Sequence, residues 1–432
     1  MVLQASIVHY IVSKNGIAEE RWFAMMKRVA ITGIGVITAF GDCPELLHSA
    51  LCRGERASYQ LGPMEDSFCK QGGNISSFEP ESYLKGKPLR PLDRTGRIVT
   101  AAAKLALENG GWNPEMLRRH DVGLVLGTMF GSVHTISEFD RRGLTEGPSY
   151  VSPMDFANTV LNAAAGQTAI WHNLRGINST IACGTASGLM ALGYAADLIR
   201  YGSHTSLLAG GADEFCFESF CGFEQAGLLC KSNGHDEFPV PFSEQRSGFA
   251  LGEGAALLLL EEWEAAVERG ASILGEIRGH GSAYDPGGNG ECGPEAIARA
   301  MDFALNDSRI RPSEINCISA SANGSVFADR NEALAIHATF NGSGGSVPVT
   351  AVKSMLGEAL GASGALQVVD LLQTMQTGVL PGIRGLEQHE PEMPKLNFCR
   401  QKQNITGHSG LINSVGFDGN ACSLVIAAAQ YK

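Results

Sequence analysis

Two residues with nucleophilic side chains, Cys183 and Thr185, lie in the segment STIACGTASGLMALGYA, which runs from Ser179 to Ala195. The segment predicts a short buried strand, a tight turn of small residues and then a helix. Nucleophiles often occupy such a junction, because the N-terminus of a helix stabilises a developing anion. The segment is therefore a candidate active site, or the remains of one.

The two side chains have different chemical requirements. Cys183 precedes the predicted helix by two residues, where a buried thiol is usually inert; an acylated Cys183 is the alternative, and it requires an accessible, electropositive setting. The hydroxyl of Thr185 needs an adjacent base to act as a nucleophile. We expect Thr185 to cap the helix through its hydroxyl instead.

A lysine and a glutamate stand five residues apart in KSMLGEALGASGA, at Lys353 and Glu358. They could form a catalytic acid and base, since perturbed carboxylates and amines often cluster at active sites. A partly buried structural ion pair, in which each partner neutralises the other, is the interpretation we favour.

Cys216, Cys221, Cys230 and His235 have the side chains that bind zinc but lack the compact paired spacing of a structural zinc site. Ordinary packing is the preferred interpretation, and we expect neither a metal nor a cofactor.

Gly33 and Gly35 begin a dinucleotide-binding pattern, yet a threonine replaces its third glycine, so a closely packed strand end is favoured.

Strand and helix patterns alternate twice along the chain in a similar order. The first series opens at RVAITGIGVIT and closes at GAALLLLEEWEAAVERG; the second opens at ASILGEIRGHGS and closes at HSGLINSVGFDGNACSLVIAA. This repetition predicts a duplicated α/β architecture with sheets buried by helices. We expect an N-terminal extension over 1–26 outside the core, a first half over 27–265 and a second half over 266–432.

The composition excludes several classes of protein. The 432 residues are 44% hydrophobic and 18% charged, which suits a globular α/β protein, and the net charge of -12 argues against general nucleic-acid binding. No apolar run approaches the roughly 20 residues of a membrane span, and no signal peptide is evident. Scattered cysteines, odd in number, indicate reduced thiols, so we expect a cytoplasmic protein with no membrane contact.

From about Lys27 to Ala429 the chain resembles the β-ketoacyl-acyl-carrier-protein synthases of the thiolase fold. The motifs that carry this resemblance are spread over the whole length: RVAITGIGVITAFG, VSPMDFANTVLNAAAG, TASGLMALGYA, AGGADE, RSGFALGEGAALLLLEE, VKSMLGEALGASGA and NSVGFDGNA. The resemblance implies a thiolase fold with a duplicated αβαβα layered architecture.

The family's chemistry uses a cysteine that accepts an acyl chain and two histidines that assist decarboxylation and condensation. The resemblance places the cysteine position at Thr185, the first histidine at Ser321 and the second at Glu358, whereas Lys353 is retained. Asp329 and Glu332 also match. The resemblance therefore implies a chain that has lost the condensation chemistry. The alternative is a divergent active enzyme that uses Cys183 as its nucleophile.

Phe223 and Phe417 resemble the family's gating phenylalanines near the acyl entrance, with core packing as the alternative. Asp418 replaces a family glycine after Phe417, so we expect this loop to move differently from the family's.

Family members without the nucleophile serve as chain-length factors in type II polyketide and polyene systems. The resemblance thus implies a heterodimer with an active ketosynthase, and an acyl carrier protein as a further partner. The strand before Cys183 is expected near the subunit interface.

Two other hypotheses stay open: a divergent acyltransferase or condensing enzyme that uses Cys183 or Glu358, and a non-catalytic lipid-binding or carrier-binding homodimer. The arginine pairs at 118–119 and 141–142 could attract an acidic carrier, although solvated surface is the favoured role for both.

Overall fold

The computed structural model describes residues 26–57, 69, 72–231, 238–287, 292–340 and 347–429. Apart from Met26, the expected N-terminal extension lies outside the described residues, as does His235.

The described strands form one eleven-stranded sheet and one two-stranded sheet. In chain order they are β1 (Val29–Ile37), β2 (Gly123–Gly127), β3 (Asn178–Ile181), β4 (Ser206–Asp213), β5 (Gly254–Glu262), β6 (Gly275–Tyr284), β7 (Cys317–Ser319), β8 (Pro348–Thr350), β9 (Val379–Leu380), β10 (Asn397–Phe398), β11 (Gln403–Asn404), β12 (Ser409–Val415) and β13 (Asn420–Ala428).

Fourteen α-helices occur within the described residues. They are α1 (Pro44–Arg53), α2 (Pro80–Tyr83), α3 (Arg94–Asn109), α4 (Pro114–Arg119), α5 (Val133–Thr145), α6 (Pro153–Phe156), α7 (Ala163–His172), α8 (Ser187–Arg200), α9 (Phe217–Gln225), α10 (Trp263–Glu268), α11 (Pro294–Ser308), α12 (Val326–Phe340), α13 (Lys353–Leu356) and α14 (Ser363–Thr377). None of these helices combines the length and the apolar character needed to span a bilayer.

The large sheet contains the same topology twice. One half has the strand order β1-β5-β4-β2-β3, and the other has the order β6-β13-β12-β7-β8 with the two-residue strand β10 added beyond β8. When the two-residue strands β9, β10 and β11 are left out, each half arranges its five strands first, fifth, fourth, second, third. In both halves the first two pairings are antiparallel and the last two are parallel. A short antiparallel pairing of β1 with β6 joins them. The predicted duplication is confirmed; the division between residues 265 and 266, which falls within α10, stays a prediction.

Apolar packing arranges these elements in five layers. Helices α8 and α14 lie at the centre, where their leucines, alanines and valines pack with residues from both halves of the sheet in one core. Helices α11 and α12 cover the outer face of the second half, and α3 covers that of the first. Burial from both sides explains why the first twelve residues of α14 are all buried.

Strand β3 differs from its prediction as a buried strand. It is the last strand at one end of the large sheet, with Asn178 exposed and the next three residues half-buried. No strand of the described residues pairs beyond β3, so within this part of the chain one row of its backbone groups is left unpaired by the sheet. Local apolar character could not reveal this edge position.

A buried polar network at the candidate active site

The turn between β3 and α8 is held by its own side chains. The backbone N–H of Cys183 donates to Oγ of Ser187 at 2.9 Å, and the Ser187 hydroxyl donates to the carbonyl of Gly184 at 2.6 Å. Gly184 adopts a left-handed conformation, φ +55°, with the carboxyl of Asp418 beside it. These contacts fix the start of α8 without a contribution from the Thr185 side chain.

The expectation that Thr185 caps α8 is wrong. The N-cap residue is Ala186, which makes no side-chain capping bond. The fully buried Thr185 side chain instead points toward β12, where its hydroxyl donates to the carbonyl of Val415 at 2.7 Å. A buried hydroxyl requires a partner, and in this fold its acceptor is on a strand from the other half of the chain.

Ser321 also forms a hydrogen bond with Val415. Its Oγ accepts a hydrogen bond from the backbone N–H of Val415 at 2.9 Å, and a longer one from Nζ of Lys353 at 3.3 Å. Val415 therefore bridges Thr185 and Ser321 through its two backbone polar groups. The backbone N–H of Ser321 donates to Oε1 of Glu332 at 2.8 Å, which fixes the start of the turn after β7.

Lys353 and Glu358 form the predicted ion pair, with Nζ and Oε2 separated by 2.8 Å. Both side chains are almost completely buried, with relative exposures of 2% and 1%. A buried pair is stable when the remaining polar atoms are also satisfied. Here the carboxylate also accepts from Asn323 Nδ2 at 2.8 Å, Ser363 Oγ at 2.6 Å and the backbone N–H of Leu360 at 3.2 Å.

The structure thus brings Thr185, Ser321, Lys353 and Glu358 into one polar network linked through Val415. Asn323 and Ser363, which donate to Glu358, were not predicted as site residues. A signal was present for each, because Asn323 follows Ser321 by two residues and Ser363 begins the helix after Glu358.

Two buried carboxylates shape the turn that carries Ser321 and Asn323. Asp329 accepts hydrogen bonds from the backbone N–H groups of Asn323 and Phe242, and burial raises its pKa to about 6. Glu332 also accepts from Asn413 Nδ2 at 3.0 Å, and burial raises its pKa to about 7. Asp329 and Glu332, which the sequence resemblance matched to family positions, therefore hold the turn that places Ser321 and Asn323 in the network.

Asp213, at the end of β4 in the AGGADE motif, holds the turn that follows Glu358. Its buried carboxylate accepts from the hydroxyl of Thr128 at 2.7 Å and from three backbone N–H groups, including that of Gly361 at 2.7 Å. A side chain at Gly361 would collide with this carboxylate, since a Cβ there would lie 2.6 Å from its oxygen. Burial raises the pKa of Asp213 to about 6.

Phe223 and Phe417 contact each other, with ring centroids 5.8 Å apart, and Phe249 packs on both rings. Phe223 and Phe249 belong to an apolar cluster that also contains Leu360, two residues beyond Glu358. The aromatic cluster therefore lies next to the polar network. Its role as an acyl gate stays a prediction.

Cys183 is half-buried, and its surroundings disfavour a thiolate. Burial raises the pKa of its thiol, and the carboxylate of Asp418 raises it further. Such a setting is the opposite of the electropositive one that activates cysteine nucleophiles.

No group of three or more metal-binding side chains occurs among the described residues. In the two arginine pairs considered for carrier docking, Arg119 forms an ion pair with Glu115, and Arg141 forms an ion pair with Glu138.

Comparison with known proteins extends these observations. Residues 26–266 match the family model of the beta-ketoacyl synthase N-terminal domain, and residues 274–387 match that of the C-terminal domain. The chain is 29% identical over 419 residues to 3-oxoacyl-[acyl-carrier-protein] synthase 2 from a Synechocystis species, covering 94% of this chain and 99% of the relative.

Two solved structures are also similar. The ishigamide ketosynthase/chain length factor matches with a TM-score of 0.86 and 28% identity, covering 94% of this chain and all of that chain. A type II polyketide synthase acyl-carrier protein in complex with its ketosynthase, bound to the hexaketide, matches with a TM-score of 0.84 and 27% identity over the same shares. The thiolase-like fold expected from the sequence is confirmed.

Proposed function

The chain belongs to the β-ketoacyl synthase family, and on that premise we propose that it is a non-condensing, chain-length-factor-like subunit of a type II fatty acid, polyketide or polyene synthase. It forms a heterodimer with an active ketosynthase in the cytoplasm and needs no cofactor. Its contribution is to shape the acyl tunnel of the partner rather than to form or cleave a covalent intermediate.

The observation that carries this proposal is the saturation of Glu358. A carboxylate offers about four acceptor sites, and Glu358 receives four hydrogen bonds, from Lys353, Asn323, Ser363 and Leu360. A general base must have a free site within reach of the proton that it abstracts. The filled acceptor sites favour a structural role for Glu358 over a catalytic one.

The two candidate nucleophiles support the same interpretation. The Thr185 hydroxyl is buried and donates to a backbone carbonyl, and neither Ser321 nor Glu358 offers an imidazole to activate it. Cys183 faces Asp418, which opposes formation of a thiolate. A divergent enzyme that uses Cys183 is therefore the less favoured hypothesis.

A partner surface is available around the exposed edge of β3. Helices α7 and α8 both contact this strand, and they expose Ile170 by 74% and Tyr194 by 39%. The segment before α7 exposes Phe156 and Val160. Exposed apolar side chains next to an unpaired strand edge are typical of a subunit interface. We call β3 with these four side chains the β3 surface.

A solved ketosynthase that resembles this chain is bound to an acyl-carrier protein, which supports a carrier partner for the proposed complex. This chain is acidic, with a net charge of -12, and Arg119 and Arg141 are paired with neighbouring glutamates. We therefore propose that the acidic carrier docks mainly on the active ketosynthase subunit.

The proposal is tested by intact-mass spectrometry. The chain is incubated with acyl-carrier protein alone, and again after co-expression with a ketosynthase that has the catalytic cysteine and both histidines. We expect an unmodified chain in complex with an acylated partner. An acyl adduct on this chain that maps to Cys183 or Thr185 would instead establish the divergent-enzyme hypothesis. A homodimer that does not bind the co-expressed ketosynthase would overturn the proposed heterodimer.

A further inference from the structure

A second group of ionisable side chains lies away from the polar network, where α1 packs against α14. His48 on α1 is buried, and its Nδ1 lies 2.7 Å from Oδ1 of Asp370, a fully buried residue of α14. The other ring nitrogen, Nε2, lies 3.0 Å from Oγ1 of Thr377 and 3.4 Å from Sγ of Cys52, one helical turn along α1. The Cys52 thiol, the His48 imidazole and the Asp370 carboxylate therefore form a chain of contacts.

The hydrogen bonds indicate the protonation state of His48. The 2.7 Å contact between Nδ1 and Oδ1 of Asp370 is the contact that a protonated Nδ1 makes with a carboxylate acceptor. The Thr377 hydroxyl donates to the carbonyl of Gln373 at 2.9 Å, so it accepts at Nε2, and Nε2 carries a proton as well. Burial disfavours the imidazolium, but the bonds to Asp370 and Cys52 outweigh it and raise the pKa of His48 to about 10.

The charge of Asp370 supports this assignment. Its second oxygen, Oδ2, is buried and has no hydrogen-bond partner among the described residues. A fully buried carboxylate with one bonded oxygen requires a neighbouring cation. His48 is the residue that supplies it.

Cys52 differs in its surroundings from the other partly accessible thiols. Four of the eleven cysteines are half-buried rather than buried: Cys43, Cys52, Cys183 and Cys221. Cys43 bonds to Glu45, Cys183 faces Asp418, and Cys221 lies near Glu224; in each case burial and the carboxylate raise the pKa of the thiol. Cys52 instead has the imidazole of His48 at hydrogen-bond distance from its sulfur, and reactive cysteines are typically found beside such a positively charged group.

We propose that Cys52 is a modification site, the thiol of this chain that reacts with small electrophiles, and that its substrate class is peroxides. The Cys52 sulfur attacks one oxygen of hydrogen peroxide and the O–O bond breaks. The second oxygen leaves with the thiol proton as water, so that a thiol and hydrogen peroxide give a sulfenic acid and water. Sulfur loses the two electrons that reduce the peroxide. His48 and Asp370 are positioning residues, which hold the positive charge beside the sulfur.

The test uses the intact wild-type chain. The folded protein is treated with hydrogen peroxide in the presence of dimedone, which traps sulfenic acids, and each cysteine is followed by peptide mass spectrometry. We expect Cys52 to be trapped at least about tenfold faster than Cys43, Cys183 and Cys221, since it is the one of these four thiols that lies beside an imidazolium rather than a carboxylate. Equal rates at Cys52 and Cys43 would overturn the proposal.

A second experiment separates activation from exposure. In His48→Gln the imidazolium is absent, and we expect trapping at Cys52 to fall to the rate of Cys43 while the other three rates stay unchanged. Unchanged rates at those cysteines report that the fold is intact. A Cys52 rate that survives in His48→Gln would overturn the role of His48, and Asp370→Asn offers the same comparison if His48→Gln fails to fold.

Discussion

The ammonium of Lys353 lies 2.8 Å from the carboxylate of Glu358, and both side chains are almost completely buried. The sequence resemblance predicts that Glu358 occupies the position of one of the family's histidines and that Lys353 is retained. In this chain the lysine is neutralised by a partner that the same segment supplies. The pair therefore fixes the polar network and the turn into α14 together.

Replacement of Lys353 by methionine tests the pair. Lys353→Met leaves Glu358 buried without its cation, and we expect the free energy of unfolding to fall by about 3–5 kcal/mol. Urea denaturation measures the change. The double variant Lys353→Met/Glu358→Gln should recover part of the loss, and Arg119→Met, in an exposed pair, serves as a control with little effect. A Lys353→Met protein as stable as wild type would contradict a structural ion pair.

Thr185 tests the bridge to Val415. Thr185→Val removes the hydroxyl that donates to the Val415 carbonyl and leaves that acceptor unsatisfied, so we expect a loss of stability of about 1–3 kcal/mol. Thr185→Ser keeps the hydroxyl and serves as the matched control. Equal denaturation midpoints for the two variants would show that the hydrogen bond contributes nothing.

Glu332 makes stability depend on pH. Burial raises its pKa from 4.5 to about 7, so the folded state holds its proton more tightly than the unfolded state. Its contribution to stability is complete below pH 4.5 and is lost as the pH rises toward 7, by about 3 kcal/mol in total. Denaturation between pH 4.5 and 7.5 should therefore show a smaller decline in Glu332→Gln than in wild type. Parallel curves would contradict this prediction.

The proposed role of the β3 surface as a subunit interface can be tested by introducing a charged side chain into it. Ile170→Glu places a carboxylate in the proposed interface, and we expect at least a tenfold weaker complex with the ketosynthase, which corresponds to about 1.4 kcal/mol. Val267→Glu is the matched control, since Val267 on α10 is also exposed, by 57%, outside the β3 surface. Native mass spectrometry compares the two variants at equal concentrations. Equal heterodimer fractions would exclude Ile170 from the interface.

Several features were accessible from the sequence because they depend on local patterns. The alternation of strands and helices in two similar series predicted the duplicated topology, since apolar periodicity reflects which side of each element is buried. Lys353 and Glu358 carry opposite charges five residues apart in one motif, and their ion pair was predicted from that proximity. The Phe223 and Phe417 positions followed from motifs, and the structure places the two rings in contact.

Other features depend on residues that are distant along the chain. The Thr185 hydroxyl was expected to cap its own helix, but its acceptor is Val415, 230 residues away. The edge position of β3 depends on the order of all the strands in the sheet, whereas its own sequence predicted burial. Asn323 and Ser363 became part of the site only because the chain folds them onto Glu358.

By itself, then, the sequence determined the fold class, the repeated halves and the residue types at the candidate site, because each of these is encoded in periodicity and motif spacing. The tertiary structure decided which polar groups meet. Buried donors and acceptors must find partners among whatever the packing brings near, and in this protein Val415 links Thr185 and Ser321, and α14 brings Asp370 to His48 and Cys52.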